Sequence, residues 1–149
     1  MSKPNTFDLL IELANHQTNE VAQRLSVLIT ERNAATEQLD ALHVYRLDYA
    51  QRLLEAGKSG VAMSNYLNFR RFINTLDEAI QQQNSRLDVL NQRVQYEQSQ
   101  WLEEKQRLNA YETLQKRRHN EWLNASRRHE QRVNDEMSAA LVRRAQYSY

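Results

Sequence analysis

Four histidines, His16, His43, His119 and His129, are the first residues to weigh as ligands or general bases. Two imidazoles share a metal when they stand about one turn apart on a helix face, as in a His-Glu-x-x-His helix. No two of these four have that spacing, so solvated helix faces are their plainer reading. The acidic pairs Asp77-Glu78 and Glu103-Glu104 have adjacent members, which diverge on a helix instead of converging on one substrate. No cysteine is present to serve as nucleophile, thiolate ligand or disulfide. Gly57-Lys58-Ser59 matches the end of a phosphate-binding loop, but Arg52 stands where that loop needs its first glycine, and no strand pattern precedes it. No catalytic, metal or cofactor constellation emerges, and an enzyme is not expected.

The elements that hold these residues explain why. The chain has 149 residues, of which 2 are Gly and 1 is Pro, and 40% are hydrophobic. Ordinary proteins carry about 7% Gly and about 5% Pro. So few breakers permit few turns, and Gln, Glu, Arg, Leu, Ala and Asn, which favour or tolerate helix, dominate. There is no run of 18 apolar residues, hence no expected membrane span or insertion. The start, Met1-Ser2-Lys3-Pro4-Asn5-Thr6, has no secretory apolar region behind it. A reducing cytoplasm is the expected compartment.

The breakers Gly57 and Gly60 cluster, and Pro4 stands where a helix start tolerates it. This predicts one coiled-coil hairpin over 1–149: a helix over about 5–56, a loop over about 57–63 and a longer helix over about 64–145, with Ser64 as its N-cap. The fold class is all-α, two long helices in an antiparallel coiled coil.

Heptads support it. In the first helix, Phe7, Ala14, Val21, Leu28, Ala35, Leu42, Tyr49 and Ala56 fall at d, and Ile11, Thr18, Leu25, Arg32, Leu39, Arg46 and Leu53 at a. Twelve of these fifteen are apolar, a sustained seam. Arg32 and Arg46 are exceptions that could fix register. The second helix places Tyr66, Ile73, Ile80, Leu87, Val94, Trp101, Leu108, Gln115 and Trp122 at a. Its d positions are Phe69, Leu76, Gln83, Leu90, Glu97, Glu104, Tyr111, Arg118 and Ala125. Beyond His129 the spacing slips to Val133, Met137 and Ala140, a stutter.

A fold-back at the glycines pairs residues whose numbers sum to about 121. Tyr49 then meets Phe72, Leu28 meets Arg93 and Phe7 meets Leu114, while residues after about 117 have no partner helix. That overhang is basic. Residues 116–149 hold 8 Lys+Arg against 4 Asp+Glu, and residues 1–115 hold 12 against 15. Nucleic-acid binding is the alternative use of such a helix, but Glu121, Glu130, Asp135 and Glu136 interleave with the bases, which favours a solvated or protein-docking face.

The g positions near the loop are Gln38 and Tyr45 in the first helix and Phe72 and Ala79 in the second. They line one side of the seam. The opposite side offers Thr36, His43 and Ala50 against Arg70, Asp77 and Asn84. One side is therefore aromatic and apolar, which reads either as a core widened by aromatics or as a partner-binding face.

The stretch from Asn65 to Ile80, Asn-Tyr-Leu-Asn-Phe-Arg-Arg-Phe-Ile-Asn-Thr-Leu-Asp-Glu-Ala-Ile, resembles the signature of the FliJ family of flagellar type III export. Trp101-Leu102-Glu103-Glu104-Lys105-Gln106-Arg107-Leu108 and Thr113-Leu114-Gln115-Lys116-Arg117 resemble the same family. The resemblance implies an antiparallel coiled coil similar to that of the F-type ATPase gamma subunit. It implies a cytoplasmic, inner-membrane-associated export component that needs no cofactor, docks in the export ATPase ring and promotes its hexamer. It further implies binding to the export gate protein FlhA and recycling of escort chaperones. Gate-binding positions carry over as Gln38, Leu42, Tyr45, Tyr49, Phe72, Leu76, Ala79 and Gln83, the last standing where the family can have His. With the basic overhang, the resemblance places the ring contact at Arg117, Arg118, Trp122, Arg127 and Arg128. The alternative is a generic coiled-coil scaffold or nucleic-acid-associated protein.

Overall fold

The computed structural model describes residues 6–60 and 62–147. Among them the chain forms two helices and no strand: α1, Thr6–Ser59, of 54 residues, and α2, Met63–Tyr147, of 85. The fold is all-α with the second helix the longer. The expected helix start at residue 5, the place of Pro4 and the Val61 step of the link lie outside the described residues.

Contacts divide the chain into two units. The first described here holds residues 17–103 and contains the turn; in it α1 and α2 form an antiparallel hairpin. The second brings residues 6–16 of α1 together with 104–147 of α2, again antiparallel, since Asp8 meets Gln115 and Phe7 meets Arg118.

The helix ends differ from the reading by breakers. α1 continues through Gly57 to Ser59, three residues past 56. Gly57 costs a helix about 1 kcal/mol against Ala, which neighbouring turns can absorb. Lys58 stands in the last turn, where a cation complements the helix dipole. Ser59 Oγ donates to the carbonyls of Glu55 at 2.9 Å and Ala56 at 3.4 Å, occupying acceptors the helix end leaves open. Gly60 then takes φ +72°, the left-handed cap that only glycine adopts without strain. On the far side, the carbonyl of Ala62 accepts from the N–H groups of Asn65 at 3.0 Å and Tyr66 at 3.2 Å. Ala62 therefore holds the cap position, and Ser64 belongs to the first turn instead of capping it.

The heptads map onto burial. All fifteen α1 seam positions from Phe7 to Ala56 are buried or half-buried, as are the α2 seam positions from Tyr66 to Gln115. Arg118, Trp122 and Ala125 are exposed, because α1 has run out. Five polar seam residues, Arg46, Gln83, Glu97, Glu104 and Gln115, come with side-chain partners. Gln83 Nε2 donates to the backbone carbonyl of Ala35 at 3.0 Å and to Gln38 Oε1 at 3.1 Å. Arg24 Nε donates to Glu97 Oε2 at 3.4 Å, and Arg107 grips both oxygens of Glu104. Arg46 bonds Asp77 across the hairpin through Nε, with Nη2 at 3.5 Å. In the second unit, Gln115 donates to Asp8. Burial of a polar side chain is tolerated only when it is hydrogen-bonded, and no buried side-chain N or O among the described residues lacks a partner.

The two glycines should respond oppositely to alanine. A Cβ at Gly57 meets nothing within 4 Å in a helical backbone, so Gly57→Ala should stabilise by about 0.5–1 kcal/mol. Gly60→Ala forces an L side chain into the left-handed region and should cost about 1–2 kcal/mol. Thermal melts of both variants by circular dichroism check this; a stabilising Gly60→Ala would refute the turn geometry.

Candidate partner-binding faces

The first face lies in the unit of residues 17–103, beside the turn. Period 3.5 on two antiparallel helices brings their g positions to one side of the seam. Tyr49, a d residue, is the hub. Its ring centroid stands 4.4 Å from that of Phe72 and 6.2 Å from that of Phe69, and the Arg52 guanidinium lies 5.4 Å from its centre. Asn65 and Asn68 complete a shallow groove with these three rings. Tyr45 is 57% exposed and Phe72 43%. Phe72 thus leans on the seam through Tyr49 and still shows an open side, while Tyr45 projects outward without a ring partner among the described residues. Phe72 fits the reading of a core widened by aromatics, and Tyr45 stands open to solvent.

The other expected gate residues fall into two kinds. Gln38 is exposed and hydrogen-bonded to half-buried Gln83, so the pair acts as one amide surface. Leu42, Tyr49 and Ala79 are half-buried and reachable from outside. Leu76 is 7% exposed and belongs to the core, where it supports the face from beneath.

The opposite side of the seam carries the Arg46–Asp77 pair. The hydrogen bond from Arg46, with its charge, holds the Asp77 carboxyl below the usual carboxylate range, and Asp77 raises Arg46 in turn. The sign follows: the pair's contribution is complete above the ordinary carboxylate pKa and is lost as pH falls through the lowered one. Both groups are exposed, so the effect on stability is small.

Farther from the turn, that same side holds an apolar groove that reading three heptads beside the loop had missed. Ala22, Leu25, Ile29, Trp101 and Leu102 line it. The signal was available: Ala22 and Ile29 are apolar e positions one heptad apart.

The second face lies in the other unit. Arg118 sits over the Phe7 ring at 5.5 Å, and His119 stacks on Trp122 with centroids 6.3 Å apart. Asp8, Gln115, Arg118, His119 and Trp122 together shape a small concavity. Of the expected ring-contact residues, Arg118 and Trp122 meet here; Arg117, Arg127 and Arg128 are exposed and make no ion pair among the described residues.

The profile of the family described as "Flagellar FliJ protein" matches residues 2–147. The chain is 31% identical over 144 residues to the Flagellar FliJ protein of Salmonella typhi, covering 97% of this chain and 98% of that one. The Flagellar FliJ protein of Escherichia coli (strain K12) gives the same identity and coverage.

The aromatic geometry separates packing from display. Phe72→Ala removes a ring pair, worth about 0.5–1.5 kcal/mol beyond area burial, and Tyr45→Ala removes none. Phe72→Ala should therefore lower the melting temperature more than Tyr45→Ala. The reverse order would mean that the Tyr49–Phe72 contact does not hold in solution.

Proposed function

Because the chain belongs to the FliJ family of flagellar proteins, we propose that it is a component of flagellar type III export that performs no chemistry itself. It works in the cytoplasm at the inner membrane, joining the export ATPase ring to the gate protein FlhA. It favours assembly of the ring's hexamer and recycles escort chaperones. No helix among the described residues is long and apolar enough to cross a membrane, so its attachment is through partners.

The observation that carries this reading is the exposed aromatic side of the hairpin. Interface energy concentrates in a few aromatic or arginine anchors with a supporting shell. Tyr45 and Phe72 are displayed on the g side, with Tyr49, the Gln38–Gln83 amide pair and buried Leu76 behind them. This is the gate-binding face. The ring contact is assigned to Arg117, Arg118, Trp122, Arg127 and Arg128, supported by the exposed cations and the exposed indole. Acids along the same arm disfavour the nucleic-acid alternative, since they would face phosphates as well.

Each anchor is worth about 2 kcal/mol or more on truncation. Tyr45→Ala with Phe72→Ala should weaken binding to FlhA at least about a hundredfold, even with partial additivity. Asp77 is engaged by Arg46, so the control on the opposite side is His43→Ala with Asn84→Ala, which should bind normally. Equal loss in both pairs, measured by calorimetry, would reject the face.

The arm has its own readout. Trp122→Ala with Arg127→Ala and Arg128→Ala should abolish most stimulation of the export ATPase while leaving FlhA binding intact. Full stimulation by this variant would reject the ring contact, and no stimulation by the unaltered chain would favour a passive scaffold.

A further inference from the structure

From residue 127 to 147 every described position of α2 is exposed. A helix with no partner in its own chain should read as polar all round. This one does not: Trp122 is 64% exposed, and Met137 and Leu141 are similarly open. One face of it, apolar at Trp122, Val133, Met137 and Ala140, follows a new period. Trp122, Val133 and Arg144 are spaced by eleven, as are Ser126 and Met137, and His129 and Ala140. Eleven residues span about three helical turns, so these seven positions form one nearly straight stripe.

The stripe reads the same from both ends. Trp122 and Arg144 stand equally far from Val133, as do Ser126 and Ala140, and His129 and Met137. A second identical helix laid antiparallel on the first, with Val133 against Val133, therefore matches layer for layer. Such a self-complementary patch is what a two-fold interface requires. Trp122 would meet Arg144 of the second copy, a cation over an indole face, and Leu123 would lie beside Leu141.

Charge selects the direction. Glu121, Arg132, Glu136 and Arg143 lie along one edge of the stripe, and Arg128 lies farther round the helix. In the antiparallel register, Glu121 comes beside Arg143 of the second copy and Glu136 beside its Arg132, while the two Arg132 side chains also stand near each other. A parallel pair would carry this edge to opposite sides of the interface, where these opposite charges would not meet. None of the five forms an ion pair among the described residues.

We infer that residues 118–147 pair antiparallel with the same arm of a second copy of this chain, centred on Val133. The pairing uses Trp122, so the pair and the proposed ring contact exclude each other. It does not rest on the ring contact, and its test needs the chain alone.

The chain has no cysteine, so one introduced thiol reports one position. Full-length Val133→Cys, Ser126→Cys and Asn124→Cys variants are exposed to a glutathione redox buffer, and disulfide-linked dimer is followed on non-reducing gels. A disulfide needs Cα atoms within roughly 7 Å. Val133→Cys should link rapidly. Ser126→Cys, opposite Ala140, should not, nor should Asn124→Cys on the far side of the helix. Adding Glu136→Arg to Val133→Cys should slow linking at least about tenfold, because it sets like charges together. Rapid linking through Ser126→Cys would mean a parallel pair. Equal rates at 133 and 124 would mean random collision. An unmodified chain that sediments as a 17.7 kDa monomer at every concentration would also overturn the proposal.

Discussion

Gly60 carries a φ of +72°, and the chain reverses there between the last turn of α1 and the first of α2. So short a reversal leaves two long helices one mutual orientation and little freedom to slide. In the unit of residues 17–103, Tyr49 meets Phe72, Gln38 meets Gln83 and Arg24 meets Glu97, three pairs whose numbers share the sum 121. Their spread along the hairpin shows that the register set at the turn persists for many heptads. Gln83 reinforces it. Its amide reaches the Ala35 backbone because alanine leaves room there, and a hydrogen bond to a fixed carbonyl tolerates no slip.

Much of this could be read from residue types and spacing. A heptad is a sum over many positions, so individual polar exceptions such as Thr18 or Glu97 do not erase it. Helix ends are different, because each is decided by one or two residues. Gly57 and Gly60 look alike in a sequence, yet one sits in ordinary helical backbone and the other breaks it. Ser64 has the right chemistry for a cap, but Ala62 stands where the carbonyl meets the first free N–H groups. The partners of polar seam residues were equally hidden. Arg46 was visible as an exception, whereas its bond to Asp77 depends on side-chain conformers at an e position of the opposite helix.

The candidate face shows the same division. Heptad labels placed Tyr45 and Phe72 at g and so outside the seam, which their exposure bears out. Labels alone do not grade exposure within a position. Leu76 and Tyr49 are both d residues, but the isobutyl group disappears into the core while the longer phenol ring reaches the rim and gathers Phe69, Phe72 and Arg52 around it. The groove at Ala22 and Ile29 lies on the side that looks polar beside the turn, which is a reminder that a coiled-coil flank changes character along its length.

The period itself changes where α1 stops supplying a partner. Up to Gln115 the α2 pattern repeats every seven residues and each seam position is at least half-buried. A seven-residue repeat keeps its stripe facing another helix only if both supercoil together. Past that point no helix among the described residues is there to wind around, and an eleven-residue repeat holds a stripe nearly straight instead. The charge balance turns over the same boundary, from 12 bases against 15 acids to 8 against 4. Neither change improves packing among the described residues from 127 to 147, since all of them are exposed. A periodic, partly apolar stripe with ordered charges along its edge has an energetic use only against a surface that the described residues do not provide. The ATPase ring and a second copy are both such surfaces. They draw on the same indole, so occupation of one removes the other.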